Sequence, residues 1–599
     1  MISRITKRHL ENCLPYIVLI LMVISILFFQ MTHHFFINGI DSFFHMSVTY
    51  DTYRQLKAGN FSYFLSAFGF YHSLRIVNAV YGPLGGYFSG LLLLITGSWF
   101  RWEIAMFFII FMISGVSMYQ LCRYWHVTRI YSTLIGCLYI FTFPIMAFWM
   151  NSQYDGVGAA FMPWILYFGS KILNHNDFKN WKLVLLLVIL AEIHVFSLLL
   201  GLLVLGLCYI VSLIINDHRS ALTWKAIKVL FMTTILSFNV WGGIIEVIGS
   251  NHSKIIPTYS VPNFFQNMWS TVFYNHQFSI HQNLFLLGLS ATVLLLITLF
   301  LYLLDMRYLN VQLNFIMIIL GIGFLVLSSR LIPWPLIQQH LPILDTDLQF
   351  PKRFLPVALS AFCLMLGVLL TKLQHHAHNQ YFLTFILFVI LGMFVIHAWQ
   401  NTQYEAQFLY RQQTVASYFG SAFHTATADG WLTKGKKPQP KKLKQSLRGG
   451  NPGRYFQLVT KTTPDYMPTT QRIKTDAQYH KINAYNRYYK QVILNKLSYH
   501  HHLAHHVMTI SFNRKSSRRI IVPFVKYAHT QVMMNGKLLS HYRLTQVGAI
   551  NVKPRTGHNV MKFKYIPSTS YRVMTWISIV VWLMFLVNIG LEIVKKHLW

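Results

Sequence analysis

From Leu14 to Met31 the chain runs without a single charged side chain, and apolar segments of similar character recur along its length. A run of this kind severely limits the fold, because hydrocarbon offers no water to backbone N–H and C=O groups, so only helices or closed barrels can span it. About 20 residues of helix are needed per crossing. Hydrophobic residues make up 54%, charged residues only 11%, and mean hydropathy is +0.42, whereas a soluble domain carries about 25% charged residues. A soluble globular enzyme is thereby excluded, and a polytopic α-helical membrane protein is expected.

The expected spans are about 14–31, 103–122, 130–148, 156–173, a broken pair at 181–193 and 196–215, then 225–247, 284–304, 311–329, 352–372, 380–398 and 573–593. Arg4, Lys7 and Arg8 precede the first run and no small-residue cleavage site follows it, so it reads as a retained helix with a cytoplasmic N-terminus. Leu84 to Thr96 is short and contains Gly85, Gly86 and Gly90, which points to a re-entrant or interfacial element of a long first external loop, 32–102. Twelve crossings result, with both termini inside. Arg123, Arg129, Lys179, Lys182, Arg219, Lys225, Arg307, Lys372, Lys595 and Lys596 then fall on the cytoplasmic side, as the positive-inside rule requires.

The chain has only 17 Asp and Glu among 599 residues. Asp41, Asp51, Glu103, Asp155, Glu246, Asp345 and Asp347 come out at or near the outer face. Charge beside hydrocarbon is expensive, so this gathering predicts a polar cavity there. The competing reading is that acids avoid a cytoplasmic side already occupied by basic residues. Ile37 to Phe61 is the densest stretch, with Asp41 and His45 one turn apart, Ser42, Tyr50, Asp51 and Arg54 on a helix-compatible pattern, and Gly59-Asn60 as a stop. A helix lying on the bilayer with Asp41 at its N-terminus competes with a site.

Between Gln400 and Arg572 the character changes, with 28 Lys and Arg against 4 Asp and Glu, a net of +24 (28 − 4). Phe408 to Phe423 is a candidate helix, and Lys434 to Gly453 reads as a flexible basic linker. Period-2 patterns near 454–460, 507–512, 518–525, 530–534, 548–553 and 559–565, with Asn535-Gly536 as a hairpin turn, predict an external β-sandwich over about 454–568. The domains are therefore a 1–399 bundle, a basic extracytoplasmic domain at 400–572, and a last helix with its tail at 573–599. All five cysteines lie in or beside apolar segments, so no disulfide framework is implied.

Asp41-Ser-Phe-Phe-His45, Gln55-Leu56, Gly59-Asn60-Phe61 and Tyr81-Gly-Pro-Leu84 resemble the first external loop of GT-C superfamily membrane glycosyltransferases. Leu348-Gln-Phe-Pro-Lys-Arg-Phe354 resembles the QFPWRF signature of a bacterial branch, the YfhO-like proteins and the group labelled 6-pyruvoyl-tetrahydropterin synthase-related, and Asp465-Tyr-Met-Pro468 resembles a further motif of that branch. Lys352 departs from it, standing where the branch usually has Trp. The synthase label carries no chemistry here, since nothing matches a soluble pterin enzyme's metal site.

The resemblance implies transfer of a sugar from a polyprenyl-phosphate donor to an acceptor outside the cytoplasm. Such chemistry needs a base for the acceptor hydroxyl and cations for the departing phosphate. Asp41 is the expected base, assisted by His45, with Asp155 as a second acid or a helix cap. Arg353 is the expected phosphate partner, with Gln349 beside it, and its rival role is a snorkelling side chain at a span end. Glu192 and His194, at the break between half-length helices, line the carrier's path or bridge the break. Lys436, Lys437, Lys441 and Lys442 are the expected contacts to an anionic envelope polymer such as teichoic acid, or to anionic lipid. Charge sited beside a membrane bundle excludes nucleic acid as the partner. No cofactor is fixed, and room is left for a divalent metal. His500-His-His-Leu-Ala-His-His506 has no carboxylate or cysteine nearby and makes a weak zinc site. Two other classes stay open: a transporter or flippase of lipid-linked sugars, which would show repeated halves and midplane charges, and a non-catalytic envelope scaffold.

Overall fold

The computed structural model describes residues 2–39, 41–152, 154–175, 181–215, 219–258, 260–262, 264, 311–329, 331–376, 380–411, 431–433 and 440–597. Among these the chain is mostly helical, and seven helices are long and apolar enough to cross a membrane: Asn12–His33, Trp99–Tyr124, Asp155–Asn174, Val195–Ile215, Pro351–Gln374, Thr384–Arg411 and Thr569–Glu592. The count rises to nine if each of two bent pairs is one span. The segment expected as one span at 130–148 is Arg129–Ile140 followed by Phe143–Asn151, because Pro144 lacks an N–H and starts a new helix; the bend is 45°. The segment expected at 225–247 bends by 65° between Arg219–Leu236 and Phe238–Gly249. Trp181–Ile193 and Val311–Leu327 are helices of 13 and 17 residues, and the expected span at 284–304 lies outside the described residues.

Pro351–Gln374 is the axis of the bundle, with 94% of its apolar window buried against 11% for Thr569–Glu592. Residues at the start of that axis, Lys352 and Arg353, are thus surrounded by other helices' ends.

The Ser42–Ala58 helix stops where expected, at Gly59 in the left-handed region (φ 61°). It is no surface helix. Phe43, His45, Met46, Ser47, Thr49, Asp51, Thr52 and Gln55 are all buried. It packs closely on Pro83–Thr96, where Thr52 Oγ1 donates to the Gly86 carbonyl at 2.8 Å and Thr49 Oγ1 meets Ser89 Oγ at 2.7 Å. A Cβ on Gly90 would lie 2.3 Å from Thr52 Oγ1, so glycine is what permits the approach. Leu84, Phe88, Leu91 and Ile95 on the other flank are exposed.

The C-terminal region holds antiparallel sheets. β1 (Trp431–Thr433) pairs with β2 (Val459–Lys461). β3 (His500–Ala504), β4 (Val507–Arg514), β10 (Gly557–Tyr565), β6 (Thr530–Met534) and β7 (Lys537–Leu538) form one five-stranded sheet in that order. β5 (Ile520–Val525), β9 (Ala549–Val552) and β8 (Arg543–Leu544) form another. Met508, Ile510 and Phe512 alternate inward along β4. Phe524 of β5 stacks on Phe563 of β10 with ring centroids 5.0 Å apart, joining the two sheets in one core. The expected hairpin at Asn535-Gly536 is present, with φ of 51° and 83°.

Two expectations are corrected in this region. Residues 454–460 are not a strand. Gly453–Leu458 is helical, since Tyr455, Leu458 and Val459 fall at i, i+3 and i+4, and only Val459–Lys461 extends. The basic linker is not flexible where described: Pro440–Arg448 is a helix that buries Leu443, Ser446 and Leu447, with proline in its first turn. Residues 434–439, and 412–423 of the helix expected at 408–423, lie outside the described residues.

Candidate functional site

The acids expected at the outer face divide by what holds them. Asp51 is fully buried; its Oδ1 accepts the N–H groups of Phe68 and Gly69 at 2.7 and 2.9 Å, and its Oδ2 accepts Gln55 Nε2 at 2.7 Å. It pins the loop to the helix. Glu103 accepts Gln30 Nε2 at 2.6 Å and the Ile37 N–H at 3.0 Å. Glu246 accepts the N–H and hydroxyl of Ser568, tying the return into the last helix. Asp345 takes Gln338 Nε2 at 3.0 Å. These are structural carboxylates with N–H or O–H donors already in place.

Asp41 and Asp155 differ. Asp41 occupies the N-cap position of Ser42–Ala58 but makes no capping bond to the helix. Burial raises its carboxyl to about 6, the Lys461 ammonium opposes that, the Asp155 and Asp465 carboxylates reinforce it, and Arg353 opposes it. All four charges therefore stand within electrostatic reach of one carboxylate. Asp155 opens the Asp155–His175 helix. Its Oδ2 accepts Arg353 Nε at 2.9 Å, and His194 Nε2 stands 3.4 Å from its Oδ1. These side chains are 24%, 15% and 10% exposed for Asp155, Arg353 and His194, so the pair is shielded without being sealed.

Arg353, expected to face a phosphate, has most of its donors engaged. Nε serves Asp155; Nη1 donates to the carbonyls of Asp347 and Leu348 at 3.0 and 3.1 Å; Nη2 donates to Gln349 Oε1 at 3.0 Å. A guanidinium has five N–H groups, so no two-pronged face is left for an anion. Gln349 holds its place with a positive φ of 56°, a conformation that costs a non-glycine residue about 1 kcal/mol or more. Neighbouring Lys352 shares the Phe350 ring with Arg353, its Nζ 5.0 Å from that centroid and 5.4 Å from that of Phe143.

His45 is buried and lies flat on Tyr154, with centroids 3.5 Å apart and planes 11° from parallel. Burial lowers its pKa to about 3, His194 adds to the lowering, and Asp155 opposes it. The imidazole is thus neutral at physiological pH and suited to hydrogen bonding. Tyr81 forms the hub, its ring 5.7 Å from His45, 6.4 Å from His194 and 6.3 Å from Tyr466. His194, alone between Trp181–Ile193 and Val195–Ile215, is fixed by Ser197 Oγ at 2.7 Å from its Nδ1.

Glu192 stands apart from Asp155 in its bonding, accepting Asn239 Nδ2 at 2.6 Å and the Leu84 N–H at 3.4 Å. It braces the Tyr81-Gly82-Pro83 corner, where Gly82 has φ 105° and a Cβ would meet the Glu192 carbonyl oxygen at 2.5 Å. Lys441 and Lys442 are exposed on Pro440–Arg448, and no hydrogen bond or ion pair joins them to the Asp41 centre among the described residues. Lys436 and Lys437 lie outside those residues.

The segment 461–466 was not expected in the site. Arg75, fully buried, donates to the Thr463 carbonyl and hydroxyl and to the Asp465 carbonyl, and Tyr71 hydrogen-bonds Thr460. These contacts lay Lys461, Asp465 and Tyr466 against the segment that follows the first span. Burial raises Asp465 to about 6, opposed by Arg75 and then Lys461. The Asp465 motif was visible in the sequence, but Lys461 is one of 28 basic residues in its region with no local signal to single it out. Among the described residues no group of three or more His, Cys, Asp or Glu side chains is arranged to hold a metal ion. The histidine run forms strand β3 and its turn, with His505 and His506 at positive φ.

The raised pKa of Asp41 has a stability consequence. A folded value of about 6 against 3.8 unfolded means the folded state binds the proton more tightly, so stability is fullest below about pH 4 and is lost as pH rises through 6. Asp41→Asn cannot ionise and should melt above the parent at pH 7 to 8, by on the order of 2 kcal/mol after allowance for its partial exposure. The gap should close as pH falls from 6 to 4 in thermal unfolding of the detergent-solubilised protein; a gap independent of pH would contradict the burial of that charge.

No protein-family model matches the chain, and no curated protein matches it.

Proposed function

We propose that the protein is a GT-C-type membrane glycosyltransferase that moves a sugar from a polyprenyl-phosphate donor to an extracytoplasmic cell-envelope acceptor such as teichoic acid. One observation carries the reading: Asp41 sits half-buried, poised near neutrality, among Asp155, Arg353, Lys461 and Asp465, where loops far apart in sequence meet. A carboxylate with this pKa is ionised at pH 7 yet basic enough to take a proton. The acceptor hydroxyl gives its proton to Asp41 as its oxygen bonds the anomeric carbon. The bond from that carbon to the phosphate oxygen breaks, and polyprenyl phosphate leaves. Neutral His45 hydrogen-bonds the acceptor or donor, while the Asp155–Arg353 pair and His194 hold three helix ends in register around the reacting centre.

In this reading the bundle crosses the plasma membrane twelve times with both termini cytoplasmic, and residues 400–572 stand outside with their two facing sheets as a β-sandwich. The net +24 of that region concentrates a polyanionic acceptor, an effect that weakens as salt shortens the Debye length below about 8 Å. Lys441 and Lys442, exposed on their helix, belong to that collecting surface with Lys436 and Lys437. Full-length protein in nanodiscs, given a radiolabelled polyprenyl-phosphate hexose and teichoic acid, should label the polymer. Movement of the labelled lipid between leaflets without any transfer would overturn the reading in favour of a transporter.

A further inference from the structure

The cation that a lipid-linked donor's phosphate would meet need not be the arginine. Arg353 has four of its N–H groups directed at Asp155, Asp347, Leu348 and Gln349. One N–H remains for a single contact, but a two-pronged grip on a phosphate would mean giving up one of these partners, and releasing Asp155 would leave that carboxylate without its paired cation. Lys352, one residue earlier on the Pro351–Phe354 turn, has the opposite character. It is partly buried and within electrostatic reach of Asp155, Arg353 and Asp41. Among the described residues no side chain or carbonyl accepts a hydrogen bond from its ammonium, whose contacts are the faces of Phe143 and Phe350.

We propose that Lys352, held over Phe143 and Phe350 beside the Asp155–Arg353 pair, is the residue that binds the phosphate of the lipid-linked donor. This rests on the transferase reading and assigns one of its subsites. The chemistry fits the geometry. Aromatic faces attract an ammonium electrostatically without consuming its N–H groups, so all three donors stay available to phosphate oxygens. A partly desolvated cation with no anion on it is a costly arrangement that an anionic ligand relieves. The same two rings offer apolar surface for the first isoprene unit beyond the phosphate. The Asp155–Arg353 pair, closed on itself, contributes little net charge, so the phosphate sees one positive centre and not two.

The experiment uses full-length protein in nanodiscs of neutral lipid, titrated with undecaprenyl phosphate and separately with undecaprenol, with binding read by tryptophan fluorescence or native mass spectrometry. The parent should prefer the phosphate, and raising the salt should weaken that preference. Lys352→Ala should lose about tenfold in affinity for undecaprenyl phosphate while binding undecaprenol unchanged. Lys352→Met, which keeps the stem over the two rings, should behave alike and guards against loss of packing. Lys352→Arg should keep most of the preference. Full retention of the preference in both the Ala and Met variants would overturn the assignment while leaving the transferase reading intact. A parent protein with no preference for the phosphate would instead sink the donor assignment on which both rest.

Discussion

Asp41→Asn should lower transfer from a polyprenyl-phosphate sugar by about 10²-fold or more, the range over which a positioned general base acts. The substitution keeps the size of the side chain and removes its basicity. Its raised pKa also fixes the pH profile: kcat/KM of the parent should rise as pH passes about 6 and then level, because only the ionised carboxylate takes the proton. The variant should have lost that rise. Since the same change should stabilise the fold at neutral pH, a loss of turnover in a better-folded protein would separate chemistry from damage. Near-normal turnover in Asp41→Asn would move the base elsewhere, with Asp465 the next carboxylate to replace.

Arg353→Met should be the most destabilising single change in the site, at about 3 kcal/mol. It strands the Asp155 carboxylate, 24% exposed, with His194 at 3.4 Å and the more distant Lys352 ammonium in place of a direct ion pair. It also removes the donors to the carbonyls of Asp347 and Leu348. Breaking a buried pair by deleting one partner costs about 3–5 kcal/mol, whereas deleting both is far milder. Asp155→Asn in the Arg353→Met background should therefore recover about half of the loss, and the carbonyls left without donors account for the remainder. Chemical unfolding of the four proteins in one detergent completes the cycle. A coupling below about 0.5 kcal/mol would mean that the pair is solvated and does not hold the helix ends.

What was legible in the sequence is what depends on local pattern. The Ser42–Ala58 helix was readable because its stop, Gly59, needs a left-handed backbone that glycine adopts freely. Strands β4, β6 and β10 show alternation, and Asn535-Gly536 dictates a two-residue turn. The burial of that helix on nearly all sides was not readable, since Thr49 and Thr52 are polar by type and become interior where Gly86 and Gly90 let a second backbone close in, as Ser47 does where Gly69 comes against its carbonyl. Nor was the state of Arg353. Its acceptors include two main-chain carbonyls, and a carbonyl exists at every position, so no residue pattern announces it. Residues 454–460 misled because Tyr455, Phe456 and Leu458 fit both periods over so short a run.

Arg75 binds the future of the chain. Its guanidinium is buried against residues of the 463–465 segment, 388 to 390 positions downstream. At about 5–20 residues per second, those partners are made roughly 20–80 s after Arg75 itself. Through that interval Arg75 lacks the carbonyl acceptors it is buried against in the finished fold, and the centre is incomplete, with Asp41 lacking Lys461 and Asp465. A chain truncated anywhere before residue 461 therefore leaves this half-site open, and a protease that recognises exposed, unpaired loops has a sharp criterion for removing it.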